Sequence, residues 1–170
     1  MVMLGPTDII SSLKSDENKT KSNRLCFESE RLSLQKQTQE TIDSLKKAVE
    51  LNPDNSTALC LLGGVLNEQS NPDCVSYYEK SLEKNKNCYL AYRGLGNFYL
   101  KNQQFDKSEK NYTHAIEIND NRFGPIYKNR GYVRQQQNKM NEAKEDYQSY
   151  IKFTPNAKDR GMIERALNEM

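Results

Sequence analysis

Residues 92–115 read YRGLGNFYLKNQQFDKSEKNYTHA, and their spacing decides the fold. Tyr92, Leu95, Gly96 and Tyr99 follow one another at intervals of three and one to three, which sets them on one face of a helix. Lys101 to Phe105 then reads as a polar turn, and Ser108, Tyr112 and Ala115 share one face of a second helix. Small and large residues are complementary in this pair. Gly96, Ser108 and Ala115 stand where a neighbouring helix must come close, and Tyr92, Tyr99 and Tyr112 fill the space beside them. Such a pair cannot bury its apolar face alone, so it needs stacked neighbours. The rest of the chain supplies them. Gly63, Gly96 and Gly131 are 33 and 35 residues apart; Leu45, Tyr78, Tyr112 and Tyr147 are 33, 34 and 35 apart; Pro53 and Pro155 are separated by 102, three times 34. Independent markers in one register predict an all-α array of helix pairs.

Working outward, the unit before residue 89 shows Leu59, Leu62, Gly63 and Leu66, then Cys74, Tyr78 and Ser81, with a turn one residue short before Pro72. The unit from Gly124 shows Tyr127, Gly131, Ala143, Tyr147 and Pro155. Upstream, Thr41, Leu45 and Ala48 predict a second helix over 38–52 that closes on Leu-Asn-Pro53. Its partner is degenerate: Leu25, Ser29 and Leu32 keep the spacing, but Glu28 stands at an apolar position and no glycine marks the turn near residues 35–39. After Pro155, the stripe of Met162, Ile163, Ala166 and Leu167 predicts one more helix. Residues 1–21 carry Gly5, Pro6 and a polar mixture, so a flexible tail is expected there, with Ile9, Ile10 and Leu13 able to dock.

Composition agrees with a thin, elongated core, since only 35% of residues are hydrophobic and the mean hydropathy is −0.94. With 25 Lys and Arg against 23 Asp and Glu, the net charge of +2 gives no electrostatic case for nucleic acid. Tyr77, Tyr89 and Tyr150 read as packing residues and not as base-stacking platforms. Cys26, Cys60, Cys74 and Cys88 form no C-x-x-C pair, and His114 lacks an acidic neighbour in its immediate sequence, so neither metal nor other cofactor is expected. Buried thiols in a reducing compartment are expected instead. No apolar run reaches membrane length, and the opening MVMLGPTDIISSLK is too polar for a secretory signal. The expectation is a cytoplasmic chain, or one within a cytosol-facing or organellar assembly, and not a secreted one. Phosphate-loop, dinucleotide, nucleophile-elbow and zinc-protease motifs are all missing, and Glu79, Glu83, Glu109 and Glu117 are expected on solvated outer faces. That is a non-enzyme without a small-molecule substrate.

The aromatic-Leu-Gly-Tyr first helix, the Ala-bearing second helix and the boundary proline resemble the tetratricopeptide repeat over about residues 24–156. Arg130, Arg134 and Tyr150 depart from it, standing where Leu, Tyr and Ala are usual. The resemblance implies a helical-hairpin solenoid, coiled as a right-handed superhelix, over residues 22–170. It would comprise a degenerate repeat at 22–55, clear ones at 56–88, 89–123 and 124–157, and a capping helix at 158–170. It further implies a protein-binding adaptor or scaffold, acting as a subunit of a larger complex, that holds a peptide or helix on the inner wall formed by the first helices. The wall positions are Thr57, Cys60, Leu61, Gly64, Asn67 and Glu68, then Leu90, Arg93, Gly94, Asn97, Leu100 and Lys101, then Pro125, Lys128, Asn129, Tyr132, Gln135 and Gln136. A carboxylate near Arg93, Lys101 and Lys128 is the expected ligand group. Arg93, Asn97 and Asn129 are similar to part of the clamp with which co-chaperone relatives grip the C-terminal carboxylate of heat-shock chaperones. The third part is missing, because Lys158 and Arg160 are followed four residues later by Met162 and Glu164.

Overall fold

The computed structural model describes residues 6–119 and 124–169, with side chains from residue 11 onward. Among these residues the chain forms nine helices and no strand. They are α1 (Pro6–Leu34), α2 (Thr38–Leu51), α3 (Ser56–Glu68), α4 (Cys74–Lys84), α5 (Tyr89–Lys101), α6 (Phe105–Ile118), α7 (Gly124–Gln136), α8 (Met140–Phe153) and α9 (Arg160–Glu169). The chain divides into two compact units, residues 1–86 and 87–170. In the first, α1, α2, α3 and α4 each pack on the next, and in the second α5 to α9 do the same.

Within three of the helix pairs the same contact sets how close the helices come. A Cβ added to Gly63 would lie 2.9 Å from the Tyr78 ring, one on Gly96 2.6 Å from Tyr112, and one on Gly131 3.1 Å from Tyr147. Each tyrosine is buried against the bare backbone of its glycine. Around them, Cys74, Ser81, Ser108, Ala115 and Ala143 are buried small residues, and Ser108 Oγ donates to the Gly96 carbonyl at 2.9 Å. The first pair carries Ser29 and Leu45 at the corresponding places, both buried. Ser29 Oγ donates to the Cys26 carbonyl at 2.7 Å.

All four hairpin turns share one geometry that no glycine announces. Lys36, Ser70, Gln103 and Asn138, each the second residue beyond its first helix, have φ of 59°, 57°, 55° and 60°. The next amide then reaches back to the helix: Gln37 to Leu32 O at 3.0 Å, and Asn71 to Leu66 O, Gln104 to Tyr99 O and Lys139 to Arg134 O, each at 2.9 Å. This is the Schellman ending, which satisfies carbonyls that the helix leaves open. Left-handed backbone costs an ordinary L-residue about 1–2 kcal/mol, and asparagine less. Gln103→Gly is therefore expected to stabilise the protein by about 0.5–1 kcal/mol, after subtracting the extra freedom that glycine gives the unfolded chain. Asn138→Gly is expected to change little, and urea denaturation midpoints of the two variants check the contrast.

Of the stretch expected as a tail, residues 1–5 lie outside the described residues and residues 6–21 are helical, as the first part of α1. Proline suits a first helical turn, and the pairs Asp16 with Lys19 and Glu17 with Lys21 support the helix locally. Residues 11–21 are nonetheless all exposed, Leu13 included, while Ile9 and Ile10 lie outside the described side chains. From Ser22 onward α1 meets its neighbours. Ser22 Oγ donates to the Ala48 carbonyl at 2.7 Å and accepts from Asn55 Nδ2 at 2.9 Å, while Asn55 Oδ1 caps α3 by accepting from the Ala58 amide at 3.1 Å. One buried polar chain thus ties α1, α2 and the start of α3.

Candidate functional site

The first helices α5 and α7 carry most of the expected site residues. Asn97 on α5 and Asn129 on α7 meet directly, Asn129 Nδ2 donating to Asn97 Oδ1 at 3.3 Å. The Tyr112 hydroxyl, arriving from α6, donates to the same oxygen at 2.7 Å. Tyr112 is fully buried, and that burial pushes its phenol up to about 12 against the opposing pull of Asn129, Ser108 and the positive charge of Arg93. It therefore remains a proton donor throughout the physiological range. With Asn97 Oδ1 engaged by two donors, the amide nitrogen is turned to the other side of Cγ. Arg93 stands one helical turn before Asn97 on the same face. Arg93, Asn97 and Asn129 are all half-buried, so the cluster is a donor-rich patch partly screened from water.

The remaining site residues are placed differently. Leu100 is half-buried beside the cluster; Lys101, Tyr132 and Gln136 are exposed. Lys128 is drawn into an internal pair: its Nζ donates to Asp159 Oδ2 at 2.8 Å and lies 5.3 Å from the centre of the Tyr150 ring, whose hydroxyl donates to Asp159 Oδ1. Lys128 and then Tyr150 hold the Asp159 carboxyl below its ordinary value. Tyr150, where alanine is usual, thereby finds a role just before the start of α9. Arg160 pairs with Glu164 on its own helix at 2.7 Å. In the first unit Cys60 and Asn67, expected on an open wall, are buried. Helix α3 turns them toward its neighbours, leaving Leu61, Gly64 and Val65 half-buried.

A charge cluster that spacing did not signal lies on α6, α7 and α8. Arg130 donates to Asp146 through Nε at 2.9 Å and Nη2 at 2.6 Å, and Arg134 Nη1 reaches Asp146 Oδ2 at 2.9 Å. Arg134 Nε and Lys139 Nζ donate to Glu109 at 2.8 and 2.6 Å, and Arg130 Nη1 to Thr113 Oγ1 at 3.1 Å. Glu79, Glu83 and Glu117 are exposed as expected, but Glu109 is not. Burial pushes its carboxyl up, Lys139 and Arg134 outweigh that, and the result lies below the ordinary value. His114, read from sequence as lacking an acidic neighbour, meets Glu117 one turn on at 3.3 Å and leans over Tyr92 with ring centres 5.2 Å apart. Every partner in the Asp146 cluster is internal to the fold, which gives it a structural part.

Helix pairs that repeat the same glycine and tyrosine contact define a helical-hairpin repeat fold. A family model described as tetratricopeptide repeat matches residues 91–122 and 125–156. Those residues are α5 with α6 and α7 with α8, and over them the chain carries two tetratricopeptide repeats. No curated protein matches it in sequence. Among solved structures, PilF of Pseudomonas aeruginosa superposes with a TM-score of 0.79 at 18% identity, over 91% of this chain and 69% of its own. A MamA structure gives 0.71 at 18% identity over 88% and 85% of the two chains. MamA of Desulfovibrio magneticus RS-1 gives 0.73 at 16% identity over 88% and 86%. At these identities the likeness is one of fold. No described helix is long and apolar enough to cross a membrane.

Proposed function

We propose that the chain is a non-enzymatic adaptor that holds a partner polypeptide against the α5 and α7 face, as a cytoplasmic subunit of a larger assembly. The observation that carries this is the convergence of Arg93, Asn97 and Asn129 around the Tyr112 hydroxyl. A guanidinium and two carboxamides on one face suit a carboxylate or main-chain carbonyls of an extended peptide. Each hydrogen bond to a charged group contributes about 1.5–3 kcal/mol where water is excluded. Arg93→Glu with Asn129→Ala is therefore expected to lower recovery of co-purifying proteins at least tenfold, with the helical circular dichroism unchanged. Equal recovery by the folded variant would remove the face from the binding site.

The same convergence favours a second reading, in which the ligand is the free C-terminal carboxylate of a heat-shock chaperone. With Lys128 held by Asp159, that grip relies on Arg93, Asn97 and Asn129 alone. Amidating the chaperone tail peptide separates the readings, since a grip on the terminus is lost and a grip on internal acidic side chains is kept.

A further inference from the structure

Tyr150 is buried in the last turn of α8, and a buried hydroxyl has to find an acceptor. Asp159 supplies it. One carboxylate oxygen accepts from the Tyr150 hydroxyl and the other from Lys128 Nζ at 2.8 Å, with the ammonium 5.3 Å from the centre of the same ring. Burial first, and then the Asp159 carboxylate, push the phenol up to about 12, so it stays a donor. A hydroxyl from α8 and an ammonium from α7 thus converge on one carboxylate, and those two helices pack on each other without it. The element that brings the carboxylate is lightly held. Asp159 directly precedes α9, whose described side chains include one that is buried, Ile163; Ala166 and Leu167 are half-buried, and Met162 is 64% exposed. The ion pair itself is partly exposed, at 37% and 30%, where such pairs add little to stability. Asp159 also has an alternative. It occupies the N-cap place of α9, where a freed carboxylate can accept from the first amides, and Arg160 with Glu164 supports the helix locally. Docked, the capping residue of α9 is engaged by α7 and α8; undocked, it returns to its own helix.

We propose that Lys128 and Tyr150 form a carboxylate-binding site that Asp159 fills from within the chain, and that the carboxylate of a partner polypeptide takes its place and releases α9. The site adjoins the Arg93 face in sequence and in space, since Lys128 precedes Asn129, the residue that meets Asn97. A partner seated on that face holds its own carboxylate near Lys128, and the local concentration so created offsets the advantage that Asp159 has by being tethered. An isolated carboxylate lacks that help and competes poorly. Release takes Ile163 and Leu167 away from the core that contains Tyr127, Tyr147 and Tyr150. Occupation of the site and docking of α9 therefore exclude each other, coupled through one ion pair and one hydroxyl. Only the polypeptide source of the carboxylate rests on the adaptor reading; the site itself stands on Lys128, Tyr150 and Asp159.

The test compares the full wild-type chain with Asp159→Ser, in which the serine still caps α9 but is too short to bridge Lys128 and Tyr150. Amide hydrogen exchange over residues 163–168 reads the docking of α9, and in Asp159→Ser it is expected to be at least tenfold faster than in wild type. Two probes are titrated at constant ionic strength while the backbone amide resonances of residues 128 and 150 are followed: Gly-Gly-Glu-Gly-Gly blocked at both ends, and N-acetylated tetraglycine with a free C-terminus. At least one is expected to bind Asp159→Ser at least tenfold more tightly than wild type, and at saturation to bring α9 exchange in wild type to the rate of the variant. Blocked Gly-Gly-Gln-Gly-Gly is expected to bind neither. Adding Tyr150→Phe or Lys128→Met to Asp159→Ser is expected to weaken binding at least fivefold. Binding of the glutamate peptide alone assigns the site to an acidic side chain, and of tetraglycine alone to a chain terminus. Exchange in Asp159→Ser within twofold of wild type, equal affinity of the two proteins, binding by neither probe, α9 left protected in saturated wild type, or indifference to the Tyr150 hydroxyl would each overturn the assignment. Protein capture by the Arg93→Glu and Asn129→Ala variant is scored separately, so the adaptor face and the Asp159 site can fail independently.

Discussion

Replacing Asp146 with alanine is expected to destabilise residues 87–170 by about 3–5 kcal/mol, the cost of removing one partner from a buried charge cluster. Asp146 is 2% exposed and receives four guanidinium hydrogen bonds from two arginines whose side chains are only 12% and 16% exposed. Without it, among the described residues, Arg130 keeps Thr113 Oγ1 at 3.1 Å and the face of Tyr127, 5.7 Å away. Neither neutralises it. Arg134 keeps Glu109, so the larger part of the loss falls on Arg130. Salt is expected to change the result little, because the pair is sheltered from bulk ions. Removing Arg130 and Arg134 together with Asp146, as Arg130→Leu, Arg134→Tyr and Asp146→Ala, is expected to restore most of the stability, since well-packed apolar groups often replace a buried ion cluster without loss. Urea denaturation of the single and triple variants measures both. A single variant within about 1 kcal/mol of wild type would mean that water reaches the two guanidinium groups.

That cluster also shows where sequence reading stops. The apolar register marks Arg130 and Arg134 as intruders, but nothing in the spacing selects Asp146 from the 23 acidic residues as their partner. The choice is made by how α7 and α8 face each other. The same holds for Lys128 and Asp159, 31 residues apart and joined only because the chain returns past α8 into α9. Positions that face a repeating neighbour were legible, because the requirement recurs: a glycine where a tyrosine ring crosses, three times over. The convergence of Arg93, Asn97 and Asn129 was legible for that reason too, since register alone sets them on matching faces. The hairpin turns were not. Lysine, serine, glutamine and asparagine occupy the left-handed position, so the packed helices on either side impose the turn against local preference. Residues 14–21 were equally opaque, since a helical stretch that is polar on all sides leaves no apolar stripe to read.

The glycine and tyrosine contact carries the second large effect, and the chain contains its own control. Gly96→Ala puts a methyl 2.6 Å from both Cδ1 and Cε1 of Tyr112, a ring that is fully buried and held at its far end by Asn97. The ring has nowhere to go, so the expected cost is about 1–3 kcal/mol of overpacking. Tyr112→Leu alone is expected to cost about 2–3 kcal/mol through the cavity it leaves. The double variant Gly96→Ser with Tyr112→Leu reproduces Ser29 and Leu45 of the first pair, where the two side chains coexist in a buried site. Its cost is expected to fall short of the sum of the single changes Gly96→Ser and Tyr112→Leu by about 1–2 kcal/mol. Strict additivity would mean that the collision is relieved by backbone movement and that the ring does not set the helix spacing. Gly161, with nothing within 4 Å of an added Cβ, calibrates the series: Gly161→Ala is expected to be neutral or stabilising, as alanine favours the helix. The tyrosine also connects stability to binding. Its hydroxyl fixes the Asn97 carboxamide, so the double variant, though folded, is expected to recover partners less well than wild type. Unchanged recovery would separate the packing role of Tyr112 from the orientation of the Arg93, Asn97 and Asn129 face.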